Sequence, residues 1–158
     1  MTTELQPAIP RLEQLMQVTV TLDPPLNVGT TAEGTRRIIN ITGGHFSGPR
    51  LTGQVLPGGA DWQLVRSDGV AVLEARYTLQ TKDGALIYVR NWGLRHGPSD
   101  VLAAIAQGEA VDPSRYYMRT TPIFETGAER YRWLNDLVAV GSGIRRRDSV
   151  VLDFYQVT

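Results

Sequence analysis

Two alternating runs joined by an Asp-Gly turn restrict this chain more than any other feature. Ala71 to Thr81 (AVLEARYTLQT) and Ala85 to Trp92 (ALIYVRNW) flank the turn Lys82-Asp83-Gly84. Alternation with period two is the mark of a strand whose faces meet different surroundings, and Asp-Gly between two such runs is the strongest short-range hairpin signal. An isolated hairpin is marginal in water, so the rest of the chain must extend it into a sheet.

The rest of the chain supplies that sheet. Glu13 to Leu22, Arg36 to Ile41, His45 to Leu56, Trp62 to Arg66, Tyr116 to Glu125, Asp136 to Arg145 and Val150 to Val157 all have strand composition. Turn signals separate them, including Thr42-Gly43-Gly44 and Ser67-Asp68-Gly69. One helix is expected from Ser99 as N-cap, with Asp100 in the first turn, a stripe of Val101, Leu102 and Ile105, and Gly108 as the stop. A second, brief helical turn is expected over Glu129 to Asn135. Many short strands with one short helix predict an all-β fold, a closed antiparallel β-barrel of about eight to ten strands. Closure is favoured over a sandwich because no strand carries the lysines that guard an open edge. No linker or repeat divides residues 1–158, so one barrel domain is expected, with 1–10 as a flexible N-terminal segment.

Composition removes whole classes of chemistry. With no cysteine there is no thiolate nucleophile and no thiolate metal site. The single lysine, Lys82, lies in a turn, and His45 and His96 form no HExxH-type pair, so neither Schiff-base chemistry nor a His-rich metal centre is expected. No phosphate loop, dinucleotide fingerprint or nucleophile elbow is present, and no cofactor is expected. Sixteen acidic residues balance sixteen basic ones, which argues against a nucleic-acid or anionic-membrane partner. No apolar run approaches the ~20 residues of a spanning helix, and Met1 to Pro10 lacks the pattern of a secretory signal, so a cytoplasmic protein is expected.

Six of sixteen glycines fall between Ile39 and Trp62, at 43, 44, 48, 53, 58 and 59. A phosphate cradle would need a helix start that does not follow, so these glycines read as bends at barrel corners. The same block carries a resemblance. The runs GGHFSGPRLTGQVLPGGADWQLVRSDG, ARYTLQTKDGALIYVRNWG and YYMRTTPIFET, with YRWLN and VGSG, strongly resemble a widespread microbial family known as domain of unknown function three-two-three-seven. The resemblance covers about Leu15 to Tyr155, and its PGGADW and RYTL…DGA elements are the specific ones. It implies a lipocalin-like barrel, a homo-oligomer as the usual state, and no particular activity.

Candidate site residues follow from the faces of the strands. In the first run of the hairpin, Glu74 and Arg76 share one face, while Leu73, Ala75, Tyr77 and Leu79 share the other. Either the charged face is solvated, or it lines a polar lumen; periodicity leaves both open. Asp61 and Trp62 close a Pro-Gly-Gly-Ala turn, and Asp61 reads either as a turn aspartate accepting backbone N–H bonds or, if inward, as a paired carboxylate or a general base. His45 is a candidate partner for it. Tyr117 and Arg119 share a face and could clamp an acidic or enolic aromatic ligand, or Arg119 could pair with Glu125 or Glu74. Asn91 could offer an amide to a ligand, Trp133 beside Tyr131 reads as a barrel plug or a ligand contact, and Arg145-Arg146-Arg147 reads as a solvated hairpin tip.

The expected function is a small-molecule barrel for a hydrophobic or aromatic metabolite, with cofactor-free isomerase, cyclase or lyase chemistry as its catalytic form. Asp61, His45 and Arg119 are then the candidate catalytic residues, and Trp62, Glu74, Arg76, Asn91, Tyr117, Glu125 and Trp133 the candidate ligand contacts. A non-catalytic carrier and a solidly packed structural barrel are the rival readings.

Overall fold

A computed structural model describes residues 1–158. Ten strands are formed: β1 (Leu12–Leu22), β2 (Leu26–Thr31), β3 (Gly34–Ser47), β4 (Thr52–Val55), β5 (Ala60–Val65), β6 (Ala71–Thr81), β7 (Leu86–His96), β8 (Tyr117–Glu125), β9 (Val138–Arg145) and β10 (Ser149–Val157). One α-helix, α1 (Ser99–Ala106), and two 3-10 turns at Pro113–Arg115 and Glu129–Asp136 complete the fold. All pairings are antiparallel, in the order β1-β10-β9-β8-β7-β6-β4-β3, and β1 pairs β3 to close the ring. The expected closed barrel is therefore observed.

The barrel has eight staves because β4 and β5 act as one. Both lie between β3 and β6, β4 against Gly44–Ser47 and β5 against Thr35–Asn40, with Leu56 to Gly59 interrupting the stave. On the opposite edge of β3, β1 and β2 share the length in the same way, divided by Asp23-Pro24-Pro25.

Three sequence expectations are corrected here. Thr42-Gly43-Gly44 does not separate two strands; it lies inside β3. Gly43 and Gly44 adopt φ of 150° and 137°, which bends β3 sharply without ending it. A Cβ on Gly44 would stand 1.9 Å from the Thr19 carbonyl oxygen, so closure of β1 on β3 requires glycine there. The expected strand from His45 to Leu56 is broken by a turn after Ser47. In α1, Ser99 is the first helical residue and Pro98 the N-cap, because the Pro98 carbonyl already accepts the first helical bond from Leu102 N.

The interior divides into unlike halves. One half is packed solid by Met16, Val18, Phe46, Leu79, Ile87, Val89, Phe124 and Phe154, with Tyr131 and Leu134 of the second 3-10 turn plugging its end. Tyr131 donates its hydroxyl to Asp83 Oδ1 at 3.0 Å, fastening the plug to the β6–β7 turn. In the other half, α1 packs Val101 and Ile105 on Leu73, Tyr116 and Met118. Between this second cluster and the main core the barrel is not filled by apolar side chains.

Candidate functional site

The unfilled zone is a small chamber walled by β1, β3 and β5 to β10. Its floor and sides are apolar, with Val20, Ile39, Ile41, Leu73 and Leu152 among them. Into it point Asp61 and Gln63 from β5, Tyr77 from β6, Asn91 and Arg95 from β7, Thr120 from β8 and Arg145 from β9. Alternation explains the convergence: Asp61 and Gln63 are two apart on one face, and Asn91 and Arg95 four apart on another. The free space measures ≈ 50 Å³, room for about one to a few water molecules.

Asp61 is held precisely. Its Oδ1 accepts the Glu74 backbone N–H at 2.8 Å, and its Oδ2 accepts Gln63 Nε2 at 3.3 Å. Gln63 is oriented in turn by Arg37, which donates Nε at 3.1 Å and also Nη2 to Gln63 Oε1. Burial pushes the Asp61 carboxyl above its ordinary value, against the opposing pull of the Glu74 N–H, Arg95, Gln63 and Arg145. Burial also brings the Arg95 guanidinium down to about 10, reinforced by its neighbours Arg145 and Arg37. Arg145 is lowered for the same two reasons, burial first and then Arg37.

Four buried polar atoms in the protein lack a hydrogen-bond partner: Tyr77 OH, Asn91 Oδ1, Thr120 Oγ1 and Arg145 Nη1. All four residues line this one chamber. Leaving such a group unpaired costs about 1–3 kcal/mol, so their gathering at one place is a structural expense with a single address.

Arg95 and Arg145 also border a second, larger space, a mouth of ≈ 640 Å³ between α1 and the strands. Arg37 and Arg147 stand on its wall, with Leu102, Ile105 and Ala106 of α1 and Val65 of β5 opposite in character. The salt bridges of the protein are Arg66–Asp68, Arg115–Asp100, Arg130–Asp83 and Arg132–Glu129, and none involves an arginine of the mouth. The volume available to a ligand therefore lies mainly in the mouth, and the chamber beneath is its narrow end.

Of the residues singled out from the sequence, the structure brings Asp61 and Asn91 together in the chamber. The others stand elsewhere. His45 is exposed on the outside of β3, because Ile41 and Phe46 take the inward positions around the glycine bend. Glu74 and Arg76 face solvent while Leu73, Tyr77 and Leu79 are buried, so the polar-lumen reading of this strand is overturned. Tyr117, Arg119 and Glu125 lie on the outer face of β8, whose inward positions are Met118, Thr120 and Phe124. There Tyr117 stacks on His96 at 4.7 Å, and Arg119 donates to the Met118 carbonyl at 3.0 Å without forming a salt bridge to Glu125 or Glu74. Trp62 is 38% exposed beside inward Asp61. Trp133 is partly buried at the plugged end, under the Arg50 guanidinium at 3.7 Å.

Arg145 is a further correction. It is not part of a solvated tip; only Arg146 and Arg147 are exposed, and Arg145 turns inward as the last residue of β9. Sequence reasoning also passed over Arg37, Gln63, Tyr77, Arg95 and Thr120 as site residues. For Gln63 and Arg95 a signal existed, since each shares a strand face with a residue that was singled out.

The model of the family described as "Protein of unknown function (DUF3237)" matches residues 10–157. The chain belongs to that family. A UPF0311 protein, blr7842, of Bradyrhizobium diazoefficiens is 46% identical over 140 residues, 89% of this chain and 91% of that protein. A crystal structure of a beta-barrel like protein from Acinetobacter baumannii superposes with a TM-score of 0.87 at 46% identity, covering 98% of this chain and all of that one. More distantly, the hydroalkoxylation enzyme phnH of Penicillium herquei is 26% identical over 152 residues, 96% of this chain and 87% of that protein.

Proposed function

We propose that this family member is a small-molecule barrel that catalyses cofactor-free proton transfer, with Asp61 as the acid–base group. The observation that carries the reading is the chamber itself: a largely buried carboxyl lining the same small space as four polar atoms without partners, in a barrel whose other half is packed solid. A carboxyl raised by burial keeps its proton closer to neutral pH and can return it, as a general acid–base must. Arg95 and Arg145 are placed to stabilise negative charge on a reacting oxygen. Asp61 and Asn91 are kept from the sequence-derived candidates, and Arg95 and Arg145 replace Arg119 and Arg76.

The relative named as a hydroalkoxylation enzyme supports the cyclase form of this reading. Hydroalkoxylation adds an O–H across a C=C bond: the π bond breaks, a C–O bond forms, and the hydroxyl proton is replaced by one on the neighbouring carbon. No redox partner is needed. In this chain Asp61 would pass the proton between oxygen and carbon, with the developing oxyanion against the two guanidiniums.

The test is turnover by wild type and Asp61→Asn on hydroxylated alkenes. Because an addition within one molecule leaves its mass unchanged, product is read by NMR. The expected result is loss of turnover with ligand binding retained. Equal turnover in both proteins would remove Asp61 from the chemistry.

A further inference from the structure

We propose that the mouth is a carboxylate subsite: the barrel's ligand carries an acidic group held by Arg37, Arg95 and Arg145, with its apolar body against Leu102 and Ile105 of α1. This rests on reading the chamber and mouth as a ligand site, and names the class of molecule it takes.

The mouth gathers positive charge that no neighbouring salt bridge balances. Acidic and basic residues are equal in number over the whole chain, yet four arginines meet at one opening. None of them forms a salt bridge, and two of them, Arg95 and Arg145, are drawn out of solvent, where an unbalanced charge costs most. Arg95 is 8% exposed and Arg145 leaves Nη1 without a partner. Arg37 and Arg145 disfavour the charge of Arg95, and Arg37 disfavours that of Arg145. Asp61 supports the charge of Arg95 and Arg145, but one carboxylate faces three guanidiniums, it forms no salt bridge with any of them, and its oxygens accept the Glu74 N–H and Gln63. A cluster like this is costly in the empty barrel and is offset when an anion enters.

Shape and surroundings select the anion. The mouth's ≈ 640 Å³ falls within the range of about 300–1,000 Å³ typical of small-ligand sites. Its wall is part apolar, which suits an organic acid better than a bare inorganic ion. The end of α1 that reaches the mouth is the C-terminal one, Ala106 to Gly108, whose carbonyls disfavour any anion and a doubly charged phosphate more than a singly charged carboxylate. The planar guanidinium fork accepts a carboxylate in bidentate fashion.

The experiment compares three acids with their own alcohols: cinnamate, phenylacetate and octanoate against cinnamyl alcohol, phenethyl alcohol and octanol. Binding is read by calorimetry at low salt and at high salt, with inorganic phosphate as a further probe. The acid is expected to bind more tightly in at least one pair, with a preference that falls as salt rises. Arg145→Met should weaken that acid by about 10- to 100-fold, while the unliganded variant melts no lower than wild type. Arg147→Ala, at the exposed rim, should weaken it less and provides a second variant whose folding is not in question. Equal binding of acid and alcohol in every pair overturns the carboxylate subsite alone. Binding of inorganic phosphate without any acid also overturns it. Failure of all six organic compounds overturns the ligand-site reading with it. A lower melting temperature for unliganded Arg145→Met would make Arg145 a structural residue and overturn its assigned role.

Discussion

Replacing Tyr77 by Phe should stabilise the unliganded barrel, the reverse of the usual result for a buried tyrosine. Tyr77 is 3% exposed, packs in the main core cluster, and turns a hydroxyl with no partner into the chamber. An ordinary buried tyrosine loses a net hydrogen bond on change to phenylalanine, about 1 kcal/mol. Here the folded state already bears the desolvation of an unpaired hydroxyl, about 1–3 kcal/mol, and the substitution removes it. The ring is retained, so no large cavity opens. A gain of about 1–2 kcal/mol is expected, which for a chain of this size corresponds to a rise of about 2–8 °C in melting temperature. Chemical denaturation checks it, as an increased midpoint with an unchanged slope. A loss of about 1 kcal/mol or more would show that the hydroxyl is paired in the folded protein. Tyr77, the best-buried of the four groups, would then no longer mark the chamber as lacking partners.

Asp61→Asn should change the pH dependence of stability. A carboxyl whose folded value is raised adds stability fully present below its unfolded value and lost as pH rises through the folded one. The asparagine variant lacks that loss, so its melting temperature relative to wild type should climb from acid pH toward neutrality. A flat difference would mean that the carboxyl is not raised by burial. His45→Ala and Arg119→Ala alter only the outer face, and both should bind chamber ligands with wild-type affinity in calorimetry.

The barrel was legible because its strands alternate. Ala71–Thr81 and Tyr117–Glu125 each place buried residues at every second position, which is the pattern that the sequence shows directly. β2 escaped notice for the complementary reason: five of its six residues are exposed, so no buried face imposes a period. The two halves of β3 were separated because positive-φ glycines mark turns in most chains. Here they bend a continuous strand as it changes neighbours, from β2 and β5 to β1 and β4.

The site was harder to see, because alternation reports which residues share a face and not what that face meets. On β6 the inward set is apolar and the charged residues are outside, as solvation demands. On β7 the same rule puts Ile87 and Val89 inward, yet two and six positions after Val89 the inward residues are Asn91 and Arg95. The strand thus crosses from the packed core into the wall of the small chamber without any break in period. Arg145 shows the same ambiguity at a strand end. Its two arginine neighbours in sequence suggest solvent, and only the pairing of Arg145 with Val150 determines that it turns inward. What identifies the chamber is the combination of burial with missing partners. A polar residue on an inward face is unremarkable when it is paired, but Asn91, Thr120, Tyr77 and Arg145 are buried and unpaired together. Such groups cost the folded state unless something pairs them, and the chamber's ≈ 50 Å³ has room for water or a small polar group to do so.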